Sequence, residues 1–389
     1  MGFLMDRSSY IKGWVIVATL LLAGCGGLKL AYPLKIRETD WPMFARTQTR
    51  INATAEAIVP PLSVDWQYDV SGGIGTGSPL IVDSVLIVAN MRGELHAINS
   101  FTGRRLGWLA LGDAIEGSPI IDGGDAIVAL SNSRQSLVSV ELSTGRIVWK
   151  KEYGDIVSTP LLLQQKIYVG NVLGKFFCVN REDGELVWTF TLPENVRRKG
   201  IRSSPAGHDN TIVFGADDGA LYALDAGSGS RLWSFTVSAP IVASPAIADG
   251  AVFVGAMDGA FYAIDLTSGA LRWKFPAGAS IYAGAALASD MVFVGTTGGT
   301  FFALKKTNGS MIWRADLESV INAGAVISDN IVYVGTLNKY LYGLTTSNGQ
   351  IVWKYEMRGR IKTSPAVANG RLYIATDDRY VTAFQGSGQ

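Results

Sequence analysis

The 389-residue chain is poor in the residues that most often carry chemistry. It has two histidines, two cysteines and only 17% charged residues. His96 and His208 lie far apart, and neither has a second ligand at metal-binding spacing, which excludes a histidine-built metal centre. Lys and Arg number 34 against 33 Asp and Glu, so no polyanion such as nucleic acid is implied as a partner. The chain lacks a Gly-x-Ser-x-Gly elbow and a phosphate-cradling Gly-x-Gly-x-x-Gly leading into a helix, the marks of a serine hydrolase and a dinucleotide site.

What the chain does have is a period. Trp66, Trp108, Trp149, Trp188, Trp233, Trp273, Trp313 and Trp353 recur at intervals of 39 to 45 residues. Internal repeats of this length mark a closed or stacked architecture. The clearest copy, from Ser244 to Trp273, is cut by Asp249-Gly250, Asp258-Gly259 and Thr267-Ser268-Gly269 into four short apolar runs. Asp-Gly between such runs predicts hairpins, because tight turns need a positive φ that glycine adopts without a clash. Phe261, Tyr262, Ala263 and Ile264 do not alternate with polar residues, so both faces of each sheet are expected to be buried. Four strands per ~40 residues, sandwiched between copies, predicts a propeller blade.

Eight inner-strand starts follow: Ser78-Pro79, Ser118-Pro119, Thr159-Pro160, Ser204-Pro205, Ser244-Pro245, Ala285-Ala286, Ala325-Val326 and Ser364-Pro365. The last repeat lacks a tryptophan and Trp66 lacks inner strands before it. The segment around Trp66 is therefore expected to supply the outer strand of the final blade, giving an all-β, eight-bladed ring of four-stranded antiparallel sheets without free edges. Small residues at Ala89, Ala129, Gly170, Gly215, Gly255, Gly295, Gly335 and Ala375 keep step with the indoles and are the expected seats for them in adjacent blades.

The N-terminus predicts three parts: a leader over 1–24, a lipidated tether and loosely structured lead-in over 25–61, and the propeller over 62–389. Arg7 and Lys12 precede an apolar core, Trp14 to Leu22, that is short for a bilayer span. The leader ends Leu22-Ala23-Gly24-Cys25, which resembles the bacterial lipobox and implies lipidation of Cys25. Gly26 in place of Asp implies sorting to the outer membrane, periplasmic face. Pro33, Pro42, Pro60 and Pro61 break regular structure in the lead-in. With Cys25 acylated, Cys178 has no disulfide partner and reads as a buried, inert thiol.

Ala223 to Trp233 (ALDAGSGSRLW) and Ala263 to Trp273 (AIDLTSGALRW) resemble the tryptophan-docking repeat of quinoprotein dehydrogenases, a pattern shared by the related non-enzymatic BamB-type outer-membrane assembly factors. Trp41-Pro42-Met43-Phe44 is similar to a lead-in of such propellers. In the dehydrogenases the resemblance implies a redox quinone over a disulfide between adjacent cysteines, with calcium and a catalytic aspartate. This chain has no adjacent cysteines, so those residues have nothing to map onto and no cofactor or metal is expected. Asp217-Asp218 and Asp377-Asp378 occupy hairpin positions and read as turn residues rather than calcium ligands.

The longest interval, Trp188 to Trp233, carries its extra length in residues 192–202, with Arg197, Arg198, Lys199 and Arg202 clustered there. Arg358, Arg360 and Lys362 form a second basic connection, expected on the same face. In the BamB-type factors an arginine-bearing mid-chain loop engages a periplasmic domain of the barrel-assembly protein BamA. The resemblance therefore implies a non-catalytic scaffold with Arg197, Arg198, Lys199, Arg202, Arg358 and Arg360 facing a protein partner. A small ligand or glycan in the central funnel is the alternative, and a quinone-dependent dehydrogenase ranks below it.

Overall fold

A computed structural model describes residues 27, 28, 30, 34–194, 196 and 198–386. The leader, Cys25 and Arg197 lie outside the described residues. Within them every regular element is a strand, and the strands form eight sheets in a ring. Blades 1 to 7 span residues 80–110, 120–151, 161–191, 206–236, 246–276, 286–316 and 326–356, each running from inner to outer strand in chain order. Blade 8 takes its three inner strands from residues 366–386 and its outer strand from Leu62–Asp69, which pairs antiparallel with Tyr380–Gly386. The ring closes as the repeat count requires.

The two middle strands of each blade are buried on both sides, as at Ala251–Gly255 and Ala260–Asp265. That burial explains why their sequences are continuously apolar. The outer strand is half wet, and a bulge beside each docking indole shifts its register by one residue, as between Ala263 and Ile264. Such a bulge re-aims the side chain beside it. The indole then lies across the blade interface.

The seats differ from those expected. Six of the docking rings pack under the glycine in the turn before the next blade's outer strand, and Trp353 packs instead against Phe384 of blade 8. A Cβ at Gly269 would come within 2.7 Å of the Trp233 ring, and Gly103, Gly184, Gly229, Gly309 and Gly349 stand likewise over Trp66, Trp149, Trp188, Trp273 and Trp313. Each of these indoles donates its N–H to a carbonyl of the blade it leans on, Trp233 to Leu266 at 2.8 Å and Trp313 to Thr346 at 2.8 Å. The small residues ending the second strands serve another purpose. Gly170, Gly215, Gly255, Gly295 and Gly335 admit the isoleucines of the following connections, Ile201, Ile241, Ile281, Ile321 and Ile361, which a Cβ would strike.

Trp108 is a second correction. Strand pairing sets Gly107 opposite Ala97, where Ala263 faces Trp273, so Gly107 holds the docking position of blade 1. Trp108 points to the other face and stacks on His96 at 6.4 Å. The inner strands of blades 6 and 7 are likewise shifted by one from the reading above. Pairing of Ala286 with Phe293, as of Ala246 with Phe253, aligns Gly284-Ala285 with Ser244-Pro245, and Gly324-Ala325 follows suit.

The lead-in is packed rather than loose over residues 34–61. Trp41 is fully buried and exchanges backbone hydrogen bonds with Ile81 of blade 1. The chain then circles the central channel: the amides of Ile121, Gly207, Ile247, Leu287 and Ile327 donate to the carbonyls of Pro42, Gln48, Thr49, Ile51 and Asn52. Inner strands leave one row of backbone groups facing the channel, and buried groups of that kind need partners. This strap supplies them. It leaves along blade 7, where Ala53–Thr54 adds a parallel strand and the Tyr333 hydroxyl donates to the Ile58 carbonyl at 2.6 Å.

Candidate functional site

Two sets of loops share one end of the ring, here called the upper face: the connections between blades and the hairpins joining second to third strands. The strap blocks the channel beneath them, with Arg50 at its centre. The Arg50 side chain is buried and donates to the carbonyls of Pro205 (3.0 Å), Pro160 (3.0 Å) and Phe44 (2.6 Å). No carboxylate among the described residues pairs with it, and burial pulls its pKa down to about 9, which still leaves it charged at neutral pH. Three backbone dipoles from three parts of the chain hold that charge.

Above Phe44 lies a cup of about 250 Å³. Thr159, Ser204 and Ser244 of its wall belong to a row of hydroxyls that link neighbouring blades: Ser78 N–H donates to Ser118 Oγ (2.8 Å), Ser118 N–H to Thr159 Oγ1 (2.9 Å), Thr159 N–H to Ser204 Oγ (3.0 Å) and Ser204 N–H to Ser244 Oγ (3.2 Å). Gly284 and Gly324 interrupt the chain of hydroxyls. At Gly324 a Cβ would come within 2.6 Å of Ser364 Oγ and 3.1 Å of Asn52 Nδ2, so the glycine makes room for the neighbouring hydroxyl and for the strap. The rim bears Glu116, Arg202, Tyr282, Asn322 and Lys362.

Arg202 and Lys362 both line this cup, which puts the two basic connections on one face as expected. Most of the cluster is spent inside the molecule. Arg202 makes a two-pronged pair with Asp217, Nε and Nη2 lying 2.9–3.0 Å from its oxygens. Arg360 Nε stands 2.6 Å and Lys362 Nζ 3.3 Å from Asp377. Burial alone would raise the Asp377 carboxyl, but those bonds outweigh it and hold it below its ordinary value. Arg358 lies over the Tyr380 ring and only 3.8 Å from Asp378. Arg198 and Lys199 are exposed, and Arg198 has no hydrogen bond or ion pair to a described residue.

The aspartates that read as turn residues thus divide by role. Asp218 accepts from the Ala220 amide in its turn and from the Tyr222 hydroxyl, whereas Asp217 holds Arg202. Among the described residues no group of three or more His, Cys, Asp or Glu side chains could hold a metal ion. Cys178 sits in the third strand of blade 3, its thiol pushed up to about 11 by burial, and cannot reach the channel. The donor set of a quinone site of the dehydrogenase type does not fit these residues.

Sequence reasoning missed the strap and Arg50. The available signal was the loss of Ser-Pro in two successive repeats, legible only once the register of those repeats is known.

Among proteins of known function, 28% of residues are identical to the outer membrane protein assembly factor BamB of Burkholderia pseudomallei, over 46% of this chain and 48% of that one. Identity is 23% to a quinohemoprotein alcohol dehydrogenase of Comamonas testosteroni, over 52% of this chain and 35% of that one. The chain thus spans only about a quarter to a half of the length of the curated relatives it matches. Among solved structures, BamB from Moraxella catarrhalis superposes with a TM-score of 0.71 at 21% identity, covering 83% of this chain and 99% of that one. A quinohemoprotein alcohol dehydrogenase from Pseudomonas putida HK5 reaches 0.77 at 13% identity, covering 90% and 81%. These likenesses show the fold. The family model for outer membrane protein assembly factor BamB matches residues 62–190, 177–319 and 302–389, every blade of the ring, and the chain belongs to that family.

Proposed function

We propose that this protein is a non-catalytic scaffold, held by a lipid on Cys25 at the periplasmic face of the outer membrane, that supports assembly of outer-membrane β-barrel proteins. The observation that carries the reading is the match of the BamB family model across residues 62–389. The chemistry of the upper face agrees with it. A cup of about 250 Å³ falls below the ~300–1,000 Å³ of ligand pockets, and its floor is the chain's own Phe44. A rigid ring with protruding loops suits a protein interface, which takes ~800 Å² per partner.

The partner chemistry is an acidic patch on a periplasmic domain of a BamA-like barrel-assembly protein. Arg198, with Lys199 beside it in the same loop and Arg358 across the ring on the same face, is the contact residue the geometry favours over Arg202 and Arg360, whose guanidinium groups are occupied by Asp217 and Asp377. Arg197 remains a candidate by its place in the same loop. A small polar ligand in the cup is the second reading, favoured by the buried Asn322 Oδ1, which lacks a hydrogen-bond partner among the described residues.

Mild crosslinking in cells, detergent extraction and mass spectrometry test the scaffold reading. Barrel-assembly subunits are expected with the parent protein, and recovery falls about tenfold or more in Arg198→Glu/Arg358→Glu while the melting temperature holds. Equal capture by the charge-reversed protein would remove the loops from the interface. A protein recovered alone, with a sugar or organic acid in the cup, would replace the reading.

A further inference from the structure

We infer that the groove between blades 1 and 2 is a built receptor for the chain's own tether, and that this clip turns one edge of the propeller toward the membrane. The orientation rests on the lipid-anchor reading above; the clip itself does not. Blade 1 is the one blade whose docking position holds glycine, and Leu28 fills the space. Leu28 is fully buried, its backbone passes Gly107 so closely that a Cβ there would come within 2.8 Å of the Gly27 carbonyl, and its own carbonyl would be 3.0 Å from a Cβ on Gly145. Gly145 holds the turn position that Gly184, Gly229 and Gly269 use to cover indoles in later blades. The Leu30 amide donates to the Leu142 carbonyl at 3.1 Å, and Leu28, Leu30 and Leu34 join the apolar cluster containing Leu106, Leu109 and Leu142. A leucine from the tether thus does between blades 1 and 2 what an indole does elsewhere.

The consequence is geometric. Cys25 is three residues from Leu28, so the two Cα atoms can be at most about 11 Å apart whatever path the chain takes. The groove opens at the lower rim, beside the turn at Gly145 that joins the third and outer strands of blade 2. Strands of six residues span roughly 20 Å. The arginine loops therefore stand about that much farther from the anchor, on the face turned away from it. A free tether would leave the ring swinging, whereas a clipped one presents the loop face outward.

Lipidated full-length protein, reconstituted in vesicles carrying a headgroup quencher, tests this with fluorophores at Thr102→Cys in blade 1 or Ser268→Cys in the opposite blade 5. The Thr102 probe is expected to be quenched more strongly. Gly107→Trp, which fills the groove with the indole that other blades have, should abolish that difference while vesicle attachment persists; Leu28→Asp should do the same without altering the ring. In detergent, the Leu30 amide should exchange at least about tenfold faster in both variants. Equal quenching of the two probes in the parent, or a difference that survives both variants, would overturn the orientation. A Leu30 amide that is unprotected in the parent would overturn the clip. Failure of the parent to bind vesicles would sink the lipid reading alone, leaving the exchange result to decide the clip.

Discussion

Gly107 and Trp108 show what one place means in a strand. Successive side chains point to opposite faces, so a shift of one moves an indole from the blade interface to an outer groove. Truncating an in-register indole, Trp273→Ala, leaves a cavity at a sealed interface and an orphaned Lys306 carbonyl; the expected cost is about 3–5 kcal/mol in denaturant unfolding. Trp108→Ala should cost about 1 kcal/mol, as a half-exposed ring outside the docking set. Equal losses would mean that the register has no energetic consequence. His96, stacked on Trp108 and within 3.2 Å of the Tyr68 hydroxyl, is held below its ordinary pKa by burial, against the pull of Glu94. The unfolded chain therefore binds a proton that the folded one refuses, and stability falls as pH drops through about 6.5. His96→Tyr, which installs the residue found at position 262, should flatten that fall between pH 7 and pH 5 in melting experiments.

The strap is the element that most changes the reading of the molecule. Arg50→Ala leaves the carbonyls of Pro160 and Pro205 without their donors and is expected to cost about 2–4 kcal/mol. It should also speed hydrogen exchange at Gly207, Ile247, Leu287 and Ile327, whose amides the strap covers; unchanged exchange at these positions would show that Arg50 does not hold the strap down. Blades were legible in the sequence because their signals are local. Asp258-Gly259 makes a turn wherever it occurs between apolar runs, and repetition averages out errors. The strap was not legible, because Thr49 and Ile51 act through backbone carbonyls, which every residue type carries. The arginine loops were legible as charge, but their pairing with Asp217 and Asp377 depends on hairpins 15 and 17 residues downstream. Prolines at 42, 60 and 61 signalled irregular backbone, which the structure has there, and irregular backbone proved compatible with complete burial at Trp41; Pro33 lies outside the described residues.

Across the whole molecule, each blade leans on the next and the last is completed by Leu62–Asp69. A linear array of repeats can fray from its ends. A closed ring has no end to fray, and the strap ties seven inner strands together besides. Tryptophan fluorescence and far-ultraviolet circular dichroism should therefore report one coincident transition, and Trp273→Ala should move it whole rather than split it. Two separated transitions would show that the blades unfold as independent groups. The upper face, rimmed by Glu116, Arg202 and Lys362, then stays fixed in shape until the entire ring gives way.

The path of the strap also bears on how the chain is made. Residues 41–54 leave the ribosome before any blade exists, yet their places are furnished by strands as late as Val326–Ser328. Blades can form in the order of synthesis, neighbour upon neighbour. The opening stretch can meet blades 1 and 2 as they form, but its remaining hydrogen-bonding groups wait in water, and its course around the middle is complete only when the seventh has formed. What is made first is finished last, like the cord of a purse.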